Sequence, residues 1–332
     1  MYDVDFMAVE CQGTHAEMGR QQGEAARRLI QDNLSMRTFD PPEKLAAFYH
    51  AVTGILAERT PEILDEILGI AAGADVDPHQ LMALTFRNDD AERCTPMIVR
   101  NSPQGTLVAK NNDGPTHEMF PFIICTRRPD HGLPTIGVYF AGLVCGLDMM
   151  NAAGLANTHG SVGSIFPKPA GGLDIRLWTY RLMCTCRTTD EFIAGLRQIP
   201  LGGKGFSIAV GDAGAETAFV DAAVPQLAVR SRNEAFAFST NLYCSPGLVN
   251  ADRRPPAKRP LCQARTDYLR RQAPPRDVAE LQHLLRDHST PDSPCRHAAS
   301  RTTDSMIFLL SSGQALVSSG PPCRYPYLEY AF

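Results

Sequence analysis

The sequence has no uninterrupted apolar run of about 18 residues, the minimum for a membrane-spanning helix. Its opening, MYDVDFMAVECQG, also lacks the basic stretch followed by an apolar one that marks a secretory signal. Neither sign of charge is in excess: 32 Lys and Arg stand against 36 Asp and Glu, a net charge of -4. That balance gives no polycationic surface for nucleic acid or for an acidic membrane. With 10 cysteines in 332 residues, a disulfide framework is excluded by dilution, and most thiols are expected to be buried and reduced. The tail Tyr330-Ala331-Phe332 is no terminal address signal. The expectation is a cytoplasmic protein with no nucleic-acid partner and no membrane association.

Cofactor motifs are equally scarce. The glycines of LGGKG lack P-loop spacing and precede a strand-like run, so they do not form a phosphate cradle. Cys184 and Cys186 make a Cys-x-Cys pair without a second ligand pair at compatible spacing. Cys295, Arg296 and His297 put a thiol near an imidazole, and are assigned to structural support. No cofactor and no metal is expected. Internal repeats and low-complexity tracts are absent, and the paired arginines at 27–28, 253–254 and 270–271 read as solvated faces.

What the sequence does have is a large apolar fraction, 44%, enough for one large core without help from disulfides or metals. Residues 15–34 carry apolar positions at helical spacing. Residues 41–68 continue with helix formers and prolines at first-turn positions, and DPHQLMALTFRND adds a short helix. The texture changes at Cys94. TPMIVR, GTLVAKN, FPFIICTRR and PTIGVYFAG are short apolar or alternating runs punctuated by turn-forming clusters, the pattern of strands.

A helix–turn–helix over 175–197 follows, then strands in GFSIAVGD, ETAFVDA, PQLAVRS and EAFAFSTN. A Pro- and Arg-rich connection leads to the helices CQARTDYLRRQ and DVAELQHLLRDH. A hairpin around Ser312 and Gly313 comes near the end. Blocks of strands separated by blocks of helices exclude a simple alternating barrel and favour two sheets covered by helices.

Several separated pieces, in order, resemble one family: EMGRQQGEAARRLI, LTFRNDDAERCTPMIV, KNNDG, MNAAGLANTHGSVG, FSTN, LLRDHSTPDSPCRH, and TTDSMIFLL followed by GPP. They resemble the autoproteolytic acyltransferases related to acyl-coenzyme A:6-aminopenicillanate acyltransferase, within the amino-terminal-nucleophile hydrolases. The resemblance implies an α+β, four-layer αββα sandwich over residues 1–332. It implies self-cleavage at Arg93–Cys94 into a helix-rich segment, 1–93, and a sheet-containing segment, 94–332, that stay associated. It also implies cleavage or transfer of an acyl group held in a small-molecule or peptide-like amide or acyl thioester. A homo-oligomer is a further arrangement open to such a chain.

By the same resemblance, Cys94 is the nucleophile and, after cleavage, carries the amine base. Asn241 stabilises the oxyanion and Asp113 orients the new terminus. Asn157, His159 and Arg301 are candidate substrate or supporting residues; from its polar composition the stretch Asn157–Gly160 after GLA reads as a turn-like connection. Two positions depart from the family pattern: Arg93 stands where a glycine is common, and Leu242 where a histidine is common. Arg93 bears on the rate of self-cleavage, and motivates the alternative of an uncleaved, noncatalytic binding or maturation protein. A conventional cysteine hydrolase with a histidine partner is a third reading.

The chemistry has a simple basis. A free thiol has a pKa of about 8.5 and is mostly protonated at neutrality, whereas an exposed α-amine, at about 7.7 to 8.0, can accept the thiol proton. A residue at a new amino terminus thus holds nucleophile and base together.

Overall fold

The computed structural model describes residues 6–86, 94–115, 121–298 and 300–332. Arg93, and with it the proposed cleavage bond, lies outside the described residues.

The chain starts with β1 (Met7–Gly13) and then α1 (His15–Ala25), α2 (Arg27–Ser35), α3 (Pro42–Arg59), α4 (Pro61–Ala74) and α5 (Pro78–Thr85). Strands β2 (Thr95–Ser102), β3 (Gly105–Pro115), β4 (Phe122–Pro129), β5 (Thr135–Phe140), β6 (Met149–Asn151), β7 (Ala156–Ser161) and the short β8 (Leu173–Asp174) follow. Helices α6 (Ile175–Thr185) and α7 (Thr189–Gly195) precede β9 (Leu201–Gly202), β10 (Phe206–Gly211), β11 (Thr217–Ala223), β12 (Gln226–Arg230) and β13 (Phe236–Phe238). The last elements are α8 (Arg259–Arg270), α9 (Val278–Arg286), β14 (Ser300–Leu309), β15 (Gln314–Ser318) and β16 (Leu328–Ala331).

Local chemistry explains several boundaries. Thr14 and Glu17 form a reciprocal capping box at the start of α1, and Thr188 and Glu191 form another at α7. Pro61 occupies the first turn of α4, where its missing N–H has no intrahelical acceptor to lose. The expected helix over 15–34 is two helices, divided at Ala26.

Two sheets carry the fold. One is eight-stranded in the order β1-β4-β5-β6-β7-β10-β11-β12, and the other six-stranded in the order β13-β2-β3-β14-β15-β16. Neighbours are antiparallel except β1 and β4. Strand alternation sorts the side chains of each sheet onto two faces. Ile98, Val108, Met306 and Phe308 meet Ile124, Ile136, Met150 and Phe219 between the sheets. On the outer face of the larger sheet Ile123, Met149, Ile208 and Val220 pack against Ile30, Ile67 and Trp178 from the helices. On the outer face of the smaller sheet Met97, Leu107, Ala109 and Ile307 pack against Leu269, Leu281 and Leu285 of α8 and α9. These are the four layers, αββα.

The segment before Cys94 belongs to this architecture, since β1 pairs along β4 from Met7↔Ile123 to Gly13↔Pro129. Helices α1 and α4 cross at very close range through glycines; a Cβ on Gly73 would lie 2.2 Å from the Arg20 carbonyl oxygen. The buried Glu66 carboxylate ties this pair to the sheet. It accepts from Arg127 Nε at 2.7 Å and from the Tyr180 hydroxyl at 2.8 Å, and lies 2.6 Å from His15 Nδ1.

Two expectations need correction. The stretch Asn157–Gly160, read as a turn-like connection, is strand β7, paired with β10 through Asn157↔Val210 and His159↔Ile208. Asn157 and Thr158 are buried and His159 is partly buried, because they bond to Gly146, Ala109 and Asp148 rather than to solvent. Arg254, read as part of a solvated face, is buried and ion-paired to Asp252 at 2.7 Å. Among the described residues no helix is long and apolar enough to cross a membrane.

Candidate active site

Cys94 immediately precedes β2, and alternation places it on the same face as Ile98, toward the larger sheet. On β3 the same parity turns Lys110 and Asn112 inward with Val108, whereas Asn111 points the other way and donates to the Leu285 carbonyl at 2.9 Å. The β2–β3 register, Thr95↔Asn111, therefore brings the thiol beside Asn112. Cys94 Sγ donates to Asn112 Oδ1 at 3.1 Å, and Asn112 Nδ2 donates to Asp304 Oδ1 at 3.1 Å.

A cavity of about 180 Å³ opens at this point. Cys94, Asn112, Asp113, Gly114, Thr303 and His159 contribute its polar wall. Phe122, Val138, Phe140, Leu143, Val144 and Phe206 contribute apolar sides. Cys94, Asp113 and His159 thus share one cavity wall.

Next to the thiol lies a buried charge cluster that sequence reasoning missed. Lys110 Nζ donates to Asp148 Oδ2 at 2.7 Å and lies 3.3 Å from His159 Nδ1, which is 3.0 Å from Asp148 Oδ1. Burial opposes the charge on Lys110, but the attraction and hydrogen bond of Asp148, with the neighbouring Cys94 and Asp304, together outweigh it and its pKa is raised. Burial likewise opposes the Asp148 carboxylate, yet His159 and Lys110 together bring it down to about 2. Burial, aided by Lys110, holds the His159 pKa below its usual value despite Asp148. Lys110 therefore supplies the cation that balances Asp148 at neutral pH.

Asp148 adopts a left-handed backbone, φ 64°, with its N–H donating to Asn157 Oδ1 at 3.1 Å. Asn157 Nδ2 in turn donates to the Gly146 carbonyl at 2.8 Å. Asn157 holds the Asp148 turn and is not part of the cavity wall.

Burial pushes the Cys94 thiol up, Lys110 pulls it down, and the Asp113 carboxylate pushes it up again. Among the described residues Cys94 Sγ bonds to Asn112 and to the Asp113 backbone and is in hydrogen-bond contact with no histidine nitrogen, so the geometry gives no support to the conventional Cys–His arrangement. Burial moves Asp113 to about 6, against the pull of Arg265. Asp113 Oδ1 accepts from Thr302 Oγ1 at 2.7 Å, while Oδ2 is buried without a hydrogen-bond partner among the described residues. Burial moves Asp304 to about 7, with Lys110 working against the shift.

Asn241 stands one layer behind the cavity wall. It too is left-handed, φ 64°, a conformation that asparagine tolerates better than most residues. Its Nδ2 donates to the Ser161 carbonyl at 2.9 Å, and its Oδ1 accepts from Arg265 Nη2 at 2.7 Å. Arg254 Nη2 donates to its backbone carbonyl. Arg265 also reaches the Cys94 carbonyl at 3.4 Å and Thr95 Oγ1 at 3.2 Å, so one buried guanidinium connects the two residues. The sheets approach closely here: a Cβ on Gly160 would lie 3.3 Å from Asn241 Nδ2 and 3.4 Å from Pro96 Cδ. Arg301 pairs with Gly114 across β14 and β3 and is not part of the cavity wall.

Alternation along TPMIVR and GTLVAKNND was the available signal for Lys110 and Asn112. None existed for Asp148 or Arg265, which come from distant segments.

Comparison with known proteins adds three findings. A family profile described as acyl-coenzyme A:6-aminopenicillanic acid acyl-transferase matches residues 100–317, beginning after Cys94 and including Asp113 and Asn241. The acyl-coenzyme A:6-aminopenicillanic-acid-acyltransferase 40 kDa form of Emericella nidulans is 26% identical over 183 residues, covering 50% of each chain. The present chain thus spans about half the length of that curated relative. Among solved structures, a mutant of conjugated bile acid hydrolase from Clostridium perfringens aligns with TM-score 0.45 and 14% identity, over 72% of this chain and 97% of that one. Penicillin V acylase from Agrobacterium tumefaciens aligns with TM-score 0.43 and 14% identity, over 68% and 83%. The profile covers well over half of the sequence, and the chain belongs to the acyl-coenzyme A:6-aminopenicillanic acid acyl-transferase family.

Proposed function

We propose that this protein cuts itself before Cys94 and then uses that residue to cleave or transfer an acyl group from a small-molecule or peptide-like amide or thioester. The observation that carries the reading is the position of Cys94 Sγ in the wall of a largely apolar cavity, beside hydrogen-bonding and charged groups.

In the first step Sγ attacks the Arg93 carbonyl, the peptide C–N bond gives way to a thioester, and the nitrogen takes up the thiol proton. Water opens the thioester and leaves a free α-amine on Cys94. In the uncut chain burial favours the neutral thiol, which suits a single intramolecular event. The freed amine then provides a base on the same residue. Asp113 Oδ2, buried and without a hydrogen-bond partner among the described residues, supports an orienting role, since an ammonium at Cys94 would satisfy it.

In turnover Sγ attacks the substrate carbonyl and an acyl-cysteine forms as the amine or thiol leaving group takes a proton. Asn241 is the proposed oxyanion donor, held by Arg265 and Arg254; one Nδ2 hydrogen goes to the Ser161 carbonyl, and the role requires the second to turn toward the cavity. The apolar sides of the cavity suit a hydrocarbon or aromatic acyl portion. Water or a second amine then accepts the acyl group.

Intact-mass measurement of the purified chain tests the first half. Fragments separating at Arg93–Cys94 in the native protein, and a full-length chain for Cys94→Ala, are expected. Trapping a mass-shifted Cys94 adduct from a library of acyl amides and thioesters tests the second. A chain that stays whole and acquires no adduct would favour the binding or maturation reading instead.

A further inference from the structure

Away from the cavity, two loops of the smaller sheet bring two thiols and two imidazoles together. His288 follows α9, Cys295 and His297 precede β14, and Cys323 lies between β15 and β16. We propose that these four residues form a tetrahedral site for one divalent cation of the zinc type, bound through Cys295 Sγ, Cys323 Sγ, His297 Nε2 and His288 Nε2.

The spacing of the donor atoms carries the proposal. Zinc binds sulfur at about 2.3 Å and imidazole nitrogen at about 2.0–2.1 Å in tetrahedral geometry, which sets S···S near about 3.8 Å and S···N near about 3.5 Å. Cys295 Sγ and Cys323 Sγ are 3.6 Å apart. His297 Nε2 lies 3.5 Å from Cys295 Sγ and 3.2 Å from Cys323 Sγ. Ligand atoms of His288, His297 and Cys323 all fall within 4.8 Å of one another. The two sulfurs and His297 thus already stand at coordination spacing, and the exposed His288 ring, near His297 and Cys323, closes the set by moving toward Cys295.

The outer contacts suit the same role. His288 Nδ1 lies 2.9 Å from the Arg286 carbonyl oxygen, to which it donates. That bond fixes the tautomer and leaves Nε2 with its lone pair, as in most metal-bound histidines. Binding would replace the two S–H protons by two S–metal bonds and release two protons to solvent. The resulting pair of thiolates neutralises a doubly charged ion. A disulfide between Cys295 and Cys323 is the competing chemistry, but it assigns no role to two converging imidazoles.

The proposed ion also has a structural consequence. Arg296, between two of the ligands, donates its N–H to Thr302 Oγ1 at 2.8 Å, and that hydroxyl donates to Asp113 Oδ1 at 2.7 Å. Fixing the loop would steady the support of Asp113 from behind. The sequence reading expected no metal, because Cys295 and His297 gain their partners only from His288 and Cys323.

The test uses the full chain, reduced and stripped of metal, titrated with cobalt(II) and then zinc(II). One equivalent of cobalt is expected, with the visible bands of tetrahedral coordination and a thiolate charge-transfer band, all displaced by zinc. Cys323→Ser and His288→Ala should each weaken cobalt binding by about 100-fold or more, since even outer-shell partners of metal ligands are worth about 10–100-fold. His288 is exposed, so its replacement opens no core cavity and covers the case in which the cysteine variant misfolds. No binding by the reduced protein, a spectrum without thiolate ligation, or affinity unchanged in His288→Ala would overturn the proposal. Recovery of a Cys295–Cys323 disulfide that takes up no metal after reduction would overturn it in favour of the redox pair.

Discussion

Replacing Lys110 by methionine isolates the electrostatics beside Cys94. Lys110 is fully buried and its partner Asp148 is only 8% exposed, with 2.7 Å between their charged atoms. Removing one member of a buried pair leaves the other uncompensated, at a cost of about 3–5 kcal/mol. Loss of Lys110 raises Asp304 further, which widens the gap at high pH, and His159 acts in the same direction. In the wild type it is held below its ordinary value, so stability from this group is lost as pH falls through the histidine range. Without Lys110 that histidine loses a neighbouring cation and keeps the attraction of Asp148, so its pKa rises. Its protonation then stabilises the variant at low pH, and this contribution is lost as pH rises through the new value. The stability gap between wild type and variant should therefore be larger at pH 8 than at pH 5.5. The same change removes the cation that pulls the Cys94 pKa down. Each unit of upward shift lowers the thiolate fraction about tenfold, so alkylation of Cys94 by iodoacetamide should slow. Urea denaturation at several pH values and timed alkylation, with both proteins in the same processing state and at the same concentration, provide the measurements. A pH-independent stability gap together with unchanged alkylation would refute the reasoning.

Two further outcomes are expected. Asn241→Ala should lower kcat by about 10²–10³ with little change in KM, the loss associated with a missing oxyanion donor; reduced stability with unchanged kcat would confine Asn241 to holding Ser161 and Arg265. For Asp304, burial raises the folded pKa to about 7 from an ordinary 3.8, so its contribution is present below the ordinary value and lost as pH rises through 7. That loss amounts to about 4 kcal/mol between pH 4 and 8. Asp304→Asn should flatten the pH dependence of urea stability over this window, and an unchanged slope would show that Asp304 ionises without penalty.

Local periodicity determined a good part of this protein. Alternation in TPMIVR and GTLVAKN marked β2 and β3, and first-turn prolines such as Pro61 marked helix starts. The change from helical to strand texture singled out Cys94, whose side-chain direction follows from strand parity alone. The pieces resembling a known family supplied Asp113 and Asn241. Polar composition misled at Asn157–Gly160 and at Arg254, because burial of a polar side chain depends on a partner elsewhere in the chain. Asn157 finds Gly146 and Asp148; Arg254 finds Asp252 and Asn241. Sheet register and loop packing alone joined Lys110 to Asp148 and His159, Arg265 to Cys94 and Asn241, and Cys295 to Cys323. Each pairing is separated by tens of residues or more, and no periodicity within a strand or helix encodes which distant group will neutralise a buried charge or meet a buried thiol.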